Sequence, residues 1–115
     1  LQQWITILFE KNLTVPIRDK PSHIQLGEGT TPPELSDTDL EIPIGNRMTI
    51  GVTRSGNTVT YNAVFGPGES TGEITEAGIF NASSGGAMYA RIVFGVSAKG
   101  DDDTLELNWS WIIGS

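Results

Sequence analysis

Thr58-Val59-Thr60-Tyr61-Asn62-Ala63-Val64-Phe65 is the stretch that decides the fold class. Val59, Tyr61, Ala63 and Phe65 fall on one side, and Thr58, Thr60 and Asn62 on the other. That two-residue period belongs to a strand with one face in a core. Just upstream, Met48 to Arg54 is a second strand-like run. Ser55-Gly56-Asn57 joins the two, and its Gly and Asn tolerate the positive φ that a tight connection needs. The pair is expected to form a β-hairpin.

Working outward, Gly66-Pro67-Gly68 breaks the chain before Ile74 to Phe80, a further strand. A Ser- and Gly-rich turn, Asn81 to Gly86, leads into the strand Met88 to Phe94. The last strand, Leu105 to Ile113, sets Leu105, Leu107, Trp109, Trp111 and Ile113 against Glu106, Asn108 and Ser110. On the N-terminal side, Ile24-Gln25-Leu26 is a short alternating piece closed by Gly27-Glu28-Gly29. The loop Thr30 to Asp39 follows, and its Pro32-Pro33 cannot sit inside a sheet. Short strands with turns at roughly ten-residue spacing predict an all-β fold: an antiparallel β-sandwich, jelly-roll-like, or a small barrel.

The first thirteen residues read differently. Leu1, Trp4, Ile5, Leu8 and Leu13 fall near helical spacing with Gln2, Gln3, Glu10 and Lys11 between them, which predicts a short amphipathic helix or arm. The β-branched content of Trp4-Ile5-Thr6-Ile7 keeps a strand open as the alternative. Residues 1–20 are read as an N-terminal arm for docking or assembly, and residues 21–115 as the sandwich domain. Trp4, Ile7 and Phe9 are its expected assembly contacts, since so apolar a stretch must cover its own sandwich or dock on a neighbouring subunit.

The totals exclude several classes. A chain of 115 residues holds one domain and buries enough surface to fold without metals or crosslinks. Its net charge of −7 and pI near 4.4 argue against a nucleic-acid partner, which needs clustered Lys and Arg. No apolar run approaches the ~20 residues of a membrane span, so no membrane insertion is expected. There is no cysteine, which excludes disulfides and leaves the redox compartment open. The chain opens at Leu1, as a trimmed product would, and shows no signal-peptide pattern.

Chemistry-bearing residues are sparse. The sole histidine, His23, sits at a strand entry with no Gly-x-Ser-x-Gly elbow, and reads as a strand-edge residue rather than a base. One His and no Cys make a poor zinc site. Asp101, Asp102 and Asp103, with Asp37 and Asp39, are the calcium candidates, but a solvated turn before the last strand is the preferred reading of 100–103. The carboxylate pairs Glu73 with Glu76 and Glu34 with Asp37 are what any acidic chain offers. Gly27-x-Gly29 lacks the Lys and helix start of a phosphate loop. Trp109, Trp111 and Tyr61 lie on apolar strand faces, so they read as core in preference to a sugar-stacking platform. Three Asn-x-Ser/Thr triplets, at Asn12, Asn81 and Asn108, are attributed to chance. Gly78, a glycine inside a strand, marks a bulge or a close backbone approach. No cofactor and no catalytic residue are expected, and the chain is not read as an enzyme.

The run His23-Ile24-Gln25-Leu26-Gly27-Glu28-Gly29-Thr30-Thr31-Pro32-Pro33, then Ser36-Asp37-Thr38-Asp39-Leu40, resembles a segment of small tailed-phage proteins of the tail-fibre-like structural kind. The likeness continues in order through Ser55 to Thr60, Phe65 to Glu69, Glu76-Ala77-Gly78-Ile79-Phe80-Asn81, Gly85 to Arg91 and Asp103 to Leu107. Glu28 stands where a small residue is usual. The resemblance implies a virion structural protein of the tail or capsid surface, tail-fibre or baseplate-associated, assembled with other virion proteins. A homo-oligomer, with a trimer favoured, and attachment to a host-surface glycan go with it. The alternatives are a capsid decoration protein and a carbohydrate-binding module. Thr30, Pro32, Pro33, Pro67, Glu69 and Ser84 are the expected partner-contact loop residues, since loops on a rigid sandwich carry binding.

Overall fold

A computed structural model describes residues 4–13, 21–34 and 36–113, with backbone alone for 4–13, 112 and 113. Eight strands run in chain order: β1 (Trp4–Leu13), β2 (His23–Gly27), β3 (Pro43–Thr49), β4 (Gly51–Ser55), β5 (Thr58–Phe65), β6 (Gly72–Phe80), β7 (Met88–Lys99) and β8 (Thr104–Ile113). They form two four-stranded sheets, ordered β1-β8-β5-β4 and β3-β2-β6-β7. The protein is an all-β sandwich, as the alternation predicts, and no helix occurs among the described residues.

The helix expected near the N-terminus is corrected. Trp4–Leu13 is a strand, paired in parallel with β8 from Trp4 opposite Thr104 to Leu13 opposite Ile113. Tertiary pairing overrides a helical spacing that rested on few positions, and the β-branched residues of this stretch suit a pleated surface. All other strand pairs are antiparallel.

The core lies between the sheets. One contributes Val59, Tyr61, Ala63 and Phe65 from β5 with Leu105, Leu107, Trp109 and Trp111 from β8. The other contributes Ile24, Leu26, Ile74, Ala77, Ile79 and Ala90. Tyr61 meets Trp111 edge-on at 5.0 Å, and Trp109 meets Trp111 edge-on at 6.1 Å. Each such pair adds about 0.5–1.5 kcal/mol beyond area burial. The core reading of these three aromatics therefore holds over the exposed platform.

This regular pairing is interrupted in several places, one of them between Ile24 and Leu26, where the β2–β3 register shifts. The run Met48 to Arg54 is not one strand. The chain passes from one sheet to the other at Ile50, whose amide donates to the Ser22 carbonyl at 3.0 Å. Gly51–Ser55 then makes the expected hairpin with β5. On the edge strand β7 the ladder with β6 slips twice. Tyr89 is an extra residue between the partners of Ile79 and Phe80, and Phe94 to Val96 stand opposite the lone Thr75.

Candidate functional site

The most concentrated chemistry lies on the outer face of the second sheet, beneath the loop joining β2 to β3. Glu76 sits mid-strand in β6 and is fully buried. Its Oε2 accepts the amides of Gly29 and Ile42, both at 2.7 Å. Its Oε1 accepts the Glu41 amide at 3.0 Å and Arg91 Nε at 2.7 Å. Both oxygens are thus saturated by donors that the loop and the neighbouring strand bring to them. Burial pushes the Glu76 carboxyl up, but the Ile42 amide, the Arg91 guanidinium and the Glu41 and Gly29 amides together hold it below the usual carboxylate range.

Arg91 reaches from β7 to tie the loop down. Nη1 donates to the Thr31 carbonyl at 3.0 Å and to Asp37 Oδ2 at 3.2 Å. Nη2 lies 3.8 Å from Glu41 Oε1 and makes no hydrogen bond among the described residues, although the Arg91 side chain is only 4% exposed. Burial works against the guanidinium charge, and Glu76 and Asp37 outweigh it. Glu41 also caps the loop, accepting the amides of Thr30 and Thr31 and, through Oε2, the Thr31 hydroxyl. These bonds, the Thr31 hydroxyl first, hold the Glu41 carboxyl low.

The buried carboxylate explains the Gly27-x-Gly29 spacing. A Cβ on Gly27 would lie 2.6 Å from both the Ile42 carbonyl oxygen and Glu76 Oε2, and one on Gly29 2.5 Å from Glu76 Oε2. The two glycines let the backbone close over Glu76. Gly78 is likewise a close approach: a Cβ there would stand 2.8 Å from Leu40 Cδ2.

Two shallow depressions of about 210 and 220 Å3 flank this knot and share Asp37 and Arg91. Thr31, Asp39 and Glu41 complete the smaller, while Pro33, Glu34 and the start of β7 complete the other. Asp37 Oδ2 is taken by the Glu34 amide and Arg91, and Asp39 Oδ1 by the Leu40 amide. The second oxygen of each makes no hydrogen bond among the described residues.

The sequence-derived contact residues do not share one surface. Thr30, Pro32 and Pro33 are exposed on the loop over Glu76. Pro67 and Glu69 lie at one end of the sandwich, where the Gly68 amide donates to the Asp101 carbonyl at 2.7 Å. Ser84 is exposed at the opposite end, in a turn whose Ala82 and Gly85 carbonyls accept Arg47 Nη1. Trp4, Ile7 and Phe9 pair in register with Thr104, Leu107 and Trp109, and their side chains lie outside the described residues, as do residues 14–20 of the expected arm.

Among the described residues no three His, Cys, Asp or Glu side chains gather to hold a metal ion, and this includes the calcium candidates Asp101, Asp102 and Asp103. Asp103 Oδ2 accepts the Gly100 amide, and Asp101 Oδ1 accepts the Thr71 hydroxyl, so the segment is a bonded turn. Nδ1 of His23 lies 2.7 Å from Ser22 Oγ, and no described carboxylate pairs with it. Glu73 is exposed while Glu76 is buried, so that pair does not converge. Asn81 Oδ1 accepts the Ala87 amide and Asn108 Oδ1 accepts Asn62, two structural roles for residues of the Asn-x-Ser/Thr triplets. The sequence reading missed Arg91 and took Glu76 for surface charge. The signal that could have found the site was a glutamate inside the otherwise apolar run Ile74 to Phe80.

The chain matches no family model, no curated protein and no solved structure.

Proposed function

We propose that this chain is a structural protein of a tailed-phage virion, tail-fibre or baseplate-associated, acting by assembly with other virion proteins and its own copies. One observation carries the reading. The segments in which the sequence resembles that family, Gly27 to Thr31, Asp37, Glu76 and Arg91, are far apart in the chain and meet at one hydrogen-bonded knot. An ordered likeness that coincides with the bonds fixing the fold supports common architecture better than scattered matches do. The knot's charged groups pin a loop, which suits a rigid part. The proposed trimer and the host-facing use of the loops belong to the same reading.

The test is immunogold labelling of purified phage particles with an antibody to this chain, together with its copy number per particle. Label at the tail with a few to tens of copies supports the reading. Label over the shell in hundreds of copies assigns the chain to capsid decoration instead. Particles free of the chain overturn both. Light scattering of the full chain then tests the trimer separately.

A further inference from the structure

We propose that the cleft formed by Thr31, Asp37, Asp39, Glu41 and Arg91 binds a neutral saccharide. The proposal deepens the host-attachment part of the preceding reading and rests on it for the source of the sugar. Its geometric basis is the mismatch left in the knot. Among the described residues Arg91 Nη2 is a buried donor without a hydrogen bond, and leaving such a group unsatisfied is costly. Nη2 and Glu41 Oε1 stand 3.8 Å apart, too far to bond directly, and Nη2 opens to a hydroxyl oxygen when the 40% exposed Glu41 side chain turns aside. Across the same cleft, the second carboxylate oxygens of Asp37 and Asp39 are free acceptors among the described residues.

The charge pattern selects the ligand class. A free anion meets Asp37, Asp39 and Glu41, and a cation meets the Arg91 guanidinium with too few converging carboxylates to hold it. A hydroxyl both accepts and donates. Neighbouring hydroxyls of a sugar can accept from Nη2 while donating to Asp37 and Asp39. The adjoining depression, which shares Asp37 and Arg91 with the cleft, adds apolar surface from Pro33 and Met88 for the C–H face of a ring.

The experiment is a proton–nitrogen correlation spectrum of the full chain, titrated separately with D-glucose, D-galactose, D-mannose, L-rhamnose and N-acetyl-D-glucosamine. Sodium sulfate serves as the anion probe. The expected result is that at least one sugar saturably shifts the amides of Thr31, Asp37, Asp39 and Glu41 and the Arg91 Nε–H signal. Because Arg91 variants disturb the fold, Asp39→Ala carries the test. It weakens sugar binding about tenfold, the worth of one hydrogen bond to a charged group, and leaves the spectrum otherwise folded. Shifts by no sugar, shifts that Asp39→Ala leaves untouched, or saturation by sulfate in place of sugar overturn the proposal. If the chain labels the phage tail and binds no sugar, the saccharide site falls while the virion reading stands. Sugar binding by a chain absent from particles separates the two in the other direction.

Discussion

Glu76 and Arg91 are diagonal neighbours on one face of the β6–β7 pair, with Oε1 and Nε 2.7 Å apart. Glu76 stands in register with Val93, and Arg91 with Gly78. Because the pair is buried, each member depends on the other. Removing one leaves an uncompensated charge, which costs about 3–5 kcal/mol. Glu76→Ala and Arg91→Ala are each expected to lose about that much in urea unfolding. Arg91→Lys does little better, since an ammonium cannot reach Glu76, Thr31 and Asp37 with one planar fork. Full stability in Arg91→Lys would show that the fork geometry is unimportant.

Acid weakens the fold through the same carboxylate. The Glu76 carboxyl is held below its ordinary value of 4.5. A group depressed in this way adds stability that is complete above its unfolded pKa and is lost as pH falls through the lower folded one. The urea midpoint is therefore expected to hold from neutral pH down to the ordinary carboxylate range and to fall progressively below it. In Glu76→Gln the starting stability is lower and the fall shallower. Equal pH slopes in the two proteins would remove Glu76 from the account.

Glycine substitutions separate packing from propensity. Gly27→Ala forces a methyl onto the Ile42 carbonyl oxygen and is expected to cost about 1–3 kcal/mol. Gly51→Ala meets nothing within 4 Å, and its expected effect stays within about 0.5 kcal/mol. Thermal melts of the two variants compare them directly.

The faces of the first sheet make a similar contrast. Leu107 is fully buried, and Leu107→Ala is expected to cost about 2–5 kcal/mol. Val64 is 42% exposed, and Val64→Ala changes stability by about 0.5 kcal/mol or less. Comparable losses at both sites would contradict the face assignment.

Calcium gives a further check. Since Asp101 and Asp103 are engaged in turn bonds and gather no third ligand among the described residues, added calcium or a chelator leaves the melting temperature unchanged. A calcium-dependent rise would restore a site at this turn.

The parts of the fold that were legible in the sequence are those where one local rule sufficed. The alternation in β5 and β8 named Val59, Tyr61, Leu107 and Trp109 as core, and the Ser55-Gly56-Asn57 turn located the hairpin. What stayed hidden depends on partners distant in sequence. Trp4–Leu13 satisfied a sparse helical spacing, and its parallel pairing with β8 decides otherwise. The passage between sheets at Ile50 has no mark in the run Met48 to Arg54 beyond Gly51. Arg91 was not singled out because nothing local shows that Glu76, Thr31 and Asp37 converge on it.

The two slips in β7 also bear on crowding. This strand closes one side of its sheet, and its stretch from Ile92 to Ala98 carries no charge to repel a neighbour. Such an edge ordinarily invites another chain to add on and begin aggregating. Here the spacing of its backbone groups is interrupted near Tyr89 and again across Phe94 to Val96, so a regular strand laid alongside loses step within a few residues. Copies that meet at this edge do not zip into an endless sheet through it.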